Sequence, residues 1–96
     1  QIKHFGYRIE LGEVELAASA LQDVHQACVL YNKKHQRITL FYASGRPGLS
    51  VSFLRRQLAE VLPKYMVPAD FIELTSLPLN SNGKIDRKNL SARLLD

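Results

Sequence analysis

The stretch Leu77–Lys88, which reads LPLNSNGKIDRK, carries the strongest local signal in the sequence. Asn82 and Gly83 both tolerate positive φ and therefore predict a tight turn. That turn would hold Lys84 at a fixed, exposed point, and Asp86 is suited to cap a short closing helix. Asn-Gly-Lys is also common in solvated turns without a function. The rest of the chain has to decide between the two interpretations.

The length and composition predict one small domain. A chain of 96 residues with 46% hydrophobic residues has room for a single core and marginal stability. It contains no apolar run that could span a membrane and no signal peptide at its start, which together predict a cytoplasmic protein. The single cysteine, Cys28, lies in an apolar run and is predicted to be a buried thiol in a reducing compartment.

The net charge of +4 includes two basic clusters, Lys33, Lys34, Arg37 and Lys84, Arg87, Lys88. Such a charge is found in nucleic-acid-binding domains and in domains that bind phosphorylated ligands. A basic module that binds nucleic acid or protein is therefore the alternative from another functional class. The sequence lacks the interleaved aromatic and basic residues typical of single-strand binders. His4, His25 and His35 lack metal-ligand spacing, so no metal site is predicted.

The first part of the chain predicts a strand or hairpin followed by a helix. Apolar and polar residues alternate over Gln1–Glu10, with an interruption at Gly6 that suits a plain turn or a close approach of a ligand to the backbone. Gly12 is predicted to end this segment and Glu13 to begin a helix. Its apolar face would carry Val14, Ala17, Ala18 and Leu21. Glu13 and Glu15 would then lie in the first turn, where the helix dipole explains them without catalysis.

Two further strands are predicted in the middle of the chain. Val24–Tyr31 and Ile38–Ala43 are rich in β-branched and aromatic residues, and the polar stretch Asn32–Arg37 would join them as a hairpin. Ser44–Gly48 is predicted to be a loop. Its glycines do not match a Walker-type phosphate-binding pattern, because no Gly-Lys-Ser/Thr follows them.

A second helix and a proline-bracketed segment follow. Ser50 is predicted to cap the helix, whose buried face would carry Val51, Leu54, Leu58 and Val61. Pro63 and Pro68 bracket Lys64–Val67, which must be extended or turned because the residue before a proline disfavours helix. Within this segment, Tyr65 and Met66 are predicted to pack under the Lys84 loop.

The last elements complete an α+β fold. Phe71–Leu74 is predicted to be a strand, and Asp86–Leu95 a helix with Leu90 and Leu94 facing inward. The predicted order is β-α-β-β-α-β-loop-α. This order indicates a small, mostly antiparallel sheet with three helices packed on it.

Three segments of the chain, considered together, resemble a known family. They are Gly6–Glu15, Leu62–Pro68 and Asn82–Arg87. In this order and spacing they resemble the last three core motifs of amino-acid adenylation domains in nonribosomal peptide synthetases. These domains belong to the adenylate-forming, AMP-binding superfamily. The resemblance covers residues 1–96 and implies the C-terminal lid subdomain of an ATP-dependent adenylating ligase, with the large N-terminal subdomain absent from this chain.

The resemblance implies a catalytic role for Lys84. This residue aligns with the lysine that enters the active site when a substrate carboxylate attacks the α-phosphorus of ATP. A positioned cation would stabilise the charge on the carboxylate and the phosphoryl oxygens. Asn82, Gly83 and Lys3 would support the loop or the nucleotide. ATP is the implied cofactor, and its Mg²⁺ would be bound mainly by the large subdomain.

The resemblance implies a different role for the loop formed by Phe5, Gly6, Tyr7 and Arg8. After the lid rotates, this loop would face the active site while the phosphopantetheine thiol of a carrier protein attacks the adenylate. Gly6 would let the pantetheine arm pass close to the backbone. Many relatives have a basic residue where this chain has Phe5, so a charge contact made there is in question. Lys3 matches the other common basic position.

The implied partners are the large adenylation subdomain, a peptidyl or acyl carrier protein and an amino-acid substrate, with no nucleic acid and no membrane. Residues 1–96 alone are expected to be inactive, because most of the active site would lie in the large subdomain. The alternatives within the superfamily are the lid of a D-alanine–carrier protein ligase and that of an enzyme like an acyl-CoA ligase. The lid sequence does not separate these alternatives.

Overall fold

The computed structural model describes residues 1–45 and 48–94. Their helices and strands follow the predicted order and confirm the α+β class. The elements are β1 (Ile2–His4), β2 (Tyr7–Ile9), α1 (Leu11–Ser19), β3 (Val24–Asn32), β4 (Arg37–Ser44), α2 (Val51–Val61), a 3₁₀ turn (Lys64–Met66), β5 (Asp70–Glu73) and α3 (Arg87–Ala92). No helix within the described ranges is long and apolar enough to cross a membrane.

The strands form two sheets. β1 and β2 are an antiparallel hairpin in which Ile2 lies opposite Ile9. In the second sheet the strand order is β3-β4-β5, with β3 antiparallel and β5 parallel to β4. The parallel pair arises because α2 crosses over between β4 and β5, and a crossover returns the chain in the same direction.

The three-stranded sheet separates two hydrophobic cores, because neighbouring residues of a strand point to opposite faces. The hairpin-side core comprises Ile9, Val14, Ala18, Val24, Ala27, Val29, Ile38, Leu40, Tyr42, Leu54, Leu58 and Met66. The lysine-side core comprises Cys28, Phe41, Leu77 and Leu90, with Ile85 packed against it. The β1–β2 hairpin, α1 and α2 therefore lie on one face of the sheet. The segment that carries Lys84 and α3 lies on the other.

The start of α1 differs from the prediction. The helix begins at Leu11, so Gly12 lies inside its first turn and Glu13 is not its first residue. Leu11 packs against the hairpin-side core together with Val14, and this contact extends the apolar face by one turn. As a consequence, Glu15 lies in the second turn.

The structure confirms the predicted bounds of α2 but only part of its predicted buried face. The Ser50 hydroxyl accepts a hydrogen bond from the Phe53 N–H at 3.2 Å, which confirms the cap. Leu54 and Leu58 are buried, whereas Val51 and Val61 are 36% and 66% exposed, so their prediction as buried residues was wrong. Leu54 and Leu58 lie in the central turns of the helix and face the core, whereas Val51 and Val61 are its first and last residues.

The C-terminal elements lie close to their predicted positions. Lys64–Val67 is turned, and β5 begins one residue before the predicted strand. The Asp86 carboxylate accepts a hydrogen bond from the Asn89 N–H at 3.1 Å and caps α3 as predicted. Leu90 is buried and Leu94 packs against the lysine-side core. The helix ends at Ala92, with Arg93 as its C-cap, so it is shorter than predicted; the predicted end, Leu95, lies outside the described residues.

Candidate functional site

The loop that presents Lys84 is a miniature hairpin. The Asn80 N–H donates to the Lys84 carbonyl at 2.7 Å, and the Gly83 N–H donates to the Asn80 carbonyl at 3.0 Å. An antiparallel bridge between Leu79 and Ile85 closes its base. These contacts fix the backbone at Lys84 through hydrogen bonds on both sides of the turn. We call residues 79–85 the lysine loop.

The side chain of Asn80 organises the turn, a role that was not predicted from the sequence. Its Oδ1 accepts from the Asn82 N–H at 2.9 Å and from the Lys84 N–H at 3.1 Å. The turn closed by the Gly83 N–H has Ser81 and Asn82 at its centre, and of Asn82 and Gly83, which both tolerate positive φ, only Gly83 adopts it, at φ 78°. The signal was available, since asparagine at the first position of a tight turn is typical of an Asx turn.

The Lys84 side chain is exposed. Within residues 1–45 and 48–94 its ammonium has no hydrogen bond or ion pair, whereas Arg87 nearby is fully engaged. A lysine of this kind is a compact positive charge on a fixed backbone. It can bind a carboxylate or phosphate oxygen that another molecule presents.

Replacing Asn80 with alanine should loosen the lysine loop. The variant loses two hydrogen bonds to backbone N–H groups, which should lower the free energy of unfolding by about 1 kcal/mol. Amide hydrogen exchange at Lys84 should become faster. Asn80→Asp is the matched control, because its carboxylate keeps the acceptor and should keep Lys84 protected. Equal exchange in N80A and the unmodified chain would contradict the role given to Asn80.

An ion pair joins the base of the lysine loop to α1. Arg87 donates to the Glu15 carboxylate from both terminal guanidinium nitrogens, Nη1 to Oε1 at 2.9 Å and Nη2 to Oε2 at 2.8 Å. Oε1 of Glu15 also accepts from the Val29 N–H at 2.9 Å. Arg87 Nη1 lies 3.2 Å from the Cys28 Sγ. The ion pair between Glu15 and Arg87 therefore spans the edge of β3 that does not pair with β4.

These contacts determine the ionisation of the pair. Burial by itself would raise the pKa of Glu15, but the hydrogen bonds from Arg87 and Val29 and the charge of Arg87 lower it overall. The hydrogen bond to Glu15 raises the pKa of Arg87. Cys28 is a free, buried thiol, as predicted, and burial raises its pKa.

The stability contributed by Glu15 should depend on pH. Its folded pKa lies below the ordinary value of 4.5, so its contribution is present above that value and is lost as pH falls through the folded pKa. Unfolding of the chain and of Glu15→Gln should therefore differ most near about pH 6 and converge towards about pH 3. Urea titrations at each pH measure this difference. A constant difference across the range would contradict the prediction.

The hairpin loop presents an open backbone. Phe5 and Gly6 have φ of 49° and 86°, as a two-residue hairpin turn with the strand twist requires. Apart from the two residues next to it in the chain, no described residue has a heavy atom within 4 Å of a Cβ added at Gly6. Phe5 and Tyr7 are 72% and 50% exposed, and Arg8 is exposed as well. A thin ligand could therefore pass close to this backbone.

Aromatic contacts support the hairpin loop from below. His4 is buried, and its Nδ1 lies 2.8 Å from the Tyr31 hydroxyl. Burial lowers the pKa of His4 and so favours the neutral ring. The Tyr7 ring stacks on Tyr65 with centroids 3.9 Å apart. The loop is therefore anchored to both β3 and the proline-bracketed segment.

The prediction that Tyr65 and Met66 pack under the lysine loop was wrong. Met66 is buried in the hairpin-side core, and Tyr65 packs against that same core. The 3₁₀ turn directs both side chains to the face of the sheet that carries α1 and α2. The lysine loop packs on the opposite face, on the core that contains Leu77 and Leu90.

The structure brings the predicted site residues together in two groups. Asn82 and Gly83 lie in the lysine loop with Lys84, but Lys3 lies on β1, directly opposite Arg8 of β2. Lys3 therefore contributes positive charge to the hairpin and not to the lysine loop. Among the described residues, no group of three or more His, Cys, Asp or Glu side chains could hold a metal ion.

A family model decides the classification of this fold. The model for the AMP-binding enzyme C-terminal domain matches residues 13–84. The chain belongs to this family. Among curated AMP-binding relatives, tyrocidine synthase 3 of Brevibacillus parabrevis is 45% identical over 93 residues, which cover 94% of this chain and 1% of that protein. This C-terminal domain therefore spans a very small part of its longer relatives.

Solved structures agree with the family assignment. The NpsA protein of Klebsiella oxytoca, in complex with 3-hydroxyanthranilyl-AMSN, superposes with a TM-score of 0.89 at 32% identity and covers 99% of this chain and 19% of its own. A four-domain nonribosomal peptide synthetase bound to AMP and glycine superposes with a TM-score of 0.77 at 34% identity. The match covers 92% of this AMP-binding C-terminal domain and 7% of that synthetase.

Proposed function

We propose that this chain is the lid subdomain of an ATP-dependent, amino-acid-activating ligase that transfers its product to a carrier protein. The observation that carries the proposal is the placement of two exposed loops on opposite faces of one sheet. One presents Lys84, whose ammonium has no hydrogen bond or ion pair with the part of the chain that the structure describes, and the other presents the open backbone at Gly6. A rotation of such a lid would replace one loop by the other at a shared active site.

In the first half-reaction, Lys84 acts as a charged clamp. The substrate carboxylate attacks the α-phosphorus of ATP, the bond to pyrophosphate breaks, and an aminoacyl adenylate forms. No proton has to be removed from the carboxylate, so a protonated amine is the useful form of Lys84. The described residues hold no cluster of carboxylates for Mg²⁺. The proposal therefore assigns that ion to the large subdomain, where it would stabilise phosphate charge.

In the second half-reaction, the hairpin loop guides the phosphopantetheine arm. The carrier thiol attacks the adenylate carbonyl, a thioester forms, and AMP leaves. Open space around Gly6 supports this role, because an extended arm needs room beside the backbone. Phe5 stands where many relatives have a basic residue, and the exposed pair Lys3 and Arg8 supplies the positive charge of this hairpin.

Amino-acid-dependent exchange of pyrophosphate into ATP tests the proposal. The chain joined to a large adenylation subdomain, which we call the joined enzyme, should catalyse exchange with one or a few amino acids from a panel that includes D-alanine. The chain by itself should be silent. If the joined enzyme supports exchange with none of the amino acids and with no other carboxylic acid of the panel, the proposal is overturned.

The thiol acceptor separates the proposal from its rivals in the superfamily. A holo carrier protein should accept the aminoacyl group, whereas coenzyme A should not. Efficient transfer to coenzyme A would indicate an enzyme like an acyl-CoA ligase. The predicted cytoplasmic location remains part of the proposal, and Cys28, which predicted a reducing compartment, is a free, buried thiol.

A further inference from the structure

Three contacts attach the lysine loop to the body of the domain. Leu77 is buried, and its N–H donates to the Gln26 side chain at 2.9 Å. Ile85 packs on the lysine-side core. Arg87, three residues after Lys84, holds Glu15 with two hydrogen bonds. The first two contacts hold the loop on its own face of the sheet, and among the residues that the structure describes only the third crosses to an element of the other face.

We propose that Glu15 and Arg87 are positioning residues, which set the orientation of Lys84 relative to the rest of the lid. This inference rests on the proposed function of Lys84. A bidentate guanidinium–carboxylate pair fixes direction as well as distance, because both planar groups must align. The Val29 N–H holds the same carboxylate on the sheet edge. Arg87 therefore binds an acceptor that cannot turn freely.

The position of Glu15 on α1 allows its ion pair with Arg87 to connect the two loops. α1 begins two residues after Ile9, the last residue of β2, so the carboxylate stands on the helix that continues from the hairpin. The loop that presents Gly6 and the loop that presents Lys84 are thereby connected through one ion pair. A small tilt of the lysine loop would move the ammonium away from the reacting oxygens, and such displacements lower rates strongly.

Glu15→Gln is the test variant, because glutamine keeps an acceptor for the Val29 N–H and removes the charge that pairs with Arg87. Arg37→Gln is the matched control, since it removes a different ion pair, Arg37 to Asp70 at 3.7 Å between β4 and β5. In the 96-residue chain, E15Q should accelerate amide exchange of residues 79–86 by about tenfold, and R37Q should leave it unchanged. Arg87→Lys, which cannot bind bidentately, is the second variant if E15Q does not fold.

The joined enzyme gives the decisive measurement. E15Q should lower the kcat of adenylation by about tenfold at similar KM, but should cause no further loss when Lys84 is already alanine. An equal loss in both backgrounds would overturn the inference, because a merely structural defect does not depend on Lys84. Unchanged exchange of residues 79–86 in E15Q would overturn it even if the joined enzyme lacked adenylation activity. If neither the unmodified joined enzyme nor any variant forms the adenylate, the result would instead contradict the proposed function.

Discussion

Replacing Lys84 with alanine is expected to lower the rate of aminoacyl-adenylate formation by about 10²–10³-fold, which corresponds to about 2.7–4 kcal/mol of activation free energy. Transfer from a preformed adenylate to the carrier thiol should stay within about twofold of the unmodified rate, because the hairpin loop serves that step. Pyrophosphate exchange measures the first reaction in the joined enzyme. Loading of the carrier from supplied adenylate measures the second.

The structure explains why this loss should be specific. Within the described ranges, the Lys84 ammonium makes no hydrogen bond or ion pair, and the lysine loop is held by backbone bonds and by Asn80. Lys84→Ala should therefore leave thermal unfolding unchanged. Lys88→Ala is the matched control, since Lys88 is an exposed lysine on the first turn of α3. An equal loss of adenylation rate in K88A would mean that the overall positive charge of this region is responsible, and not an ammonium at the position of Lys84.

The features that could be predicted from the sequence are those with local causes. The caps by Ser50 and Asp86 each depend on a side chain and an N–H three residues apart. The hairpin at Gly6 and the turn at Gly83 depend on residues that tolerate positive φ. Such signals lie within a few positions of one another, so they survive in any tertiary context.

The features that could not be predicted depend on distant contacts. Glu15 and Arg87 are separated by 72 positions, and nothing near either residue specifies the other. The stacking of Tyr7 on Tyr65 likewise joins separate segments. Helical periodicity predicts the direction in which a side chain points. It does not predict how far the surface that packs against the helix extends. For that reason the exposed Val61 was predicted to be buried.

Replacing Gly6 with alanine should lower thiol transfer by about 10–100-fold and leave adenylation nearly unchanged. Gly6 has φ of 86°, where an alanine costs about 1–2 kcal/mol. Apart from the two residues next to it in the chain, no described residue has a heavy atom within 4 Å of the added Cβ, so the loss would come from backbone strain and from a methyl group in the path of the thiol arm. Carrier loading from preformed adenylate measures the effect.

Gly83→Ala provides a reciprocal control on the other face of the sheet. Gly83 has φ of 78° and equally open surroundings, so both alanine variants should suffer similar strain and similar loss of stability. G83A should nevertheless impair adenylation, since it disturbs the loop that carries Lys84. Opposite effects of two equally strained variants cannot arise from general destabilisation. Loss of the same half-reaction in both would contradict the division of roles between the two loops.

Asparagine at position 6 separates strain from obstruction. Asparagine adopts positive φ more readily than alanine, so Gly6→Asn should fold with less strain while adding a larger side chain. If the open space at Gly6 admits the pantetheine arm, G6N should impair thiol transfer at least as much as G6A. Recovery of transfer in G6N would show that only backbone geometry matters there. The opening beside the hairpin would then not be the path of the arm.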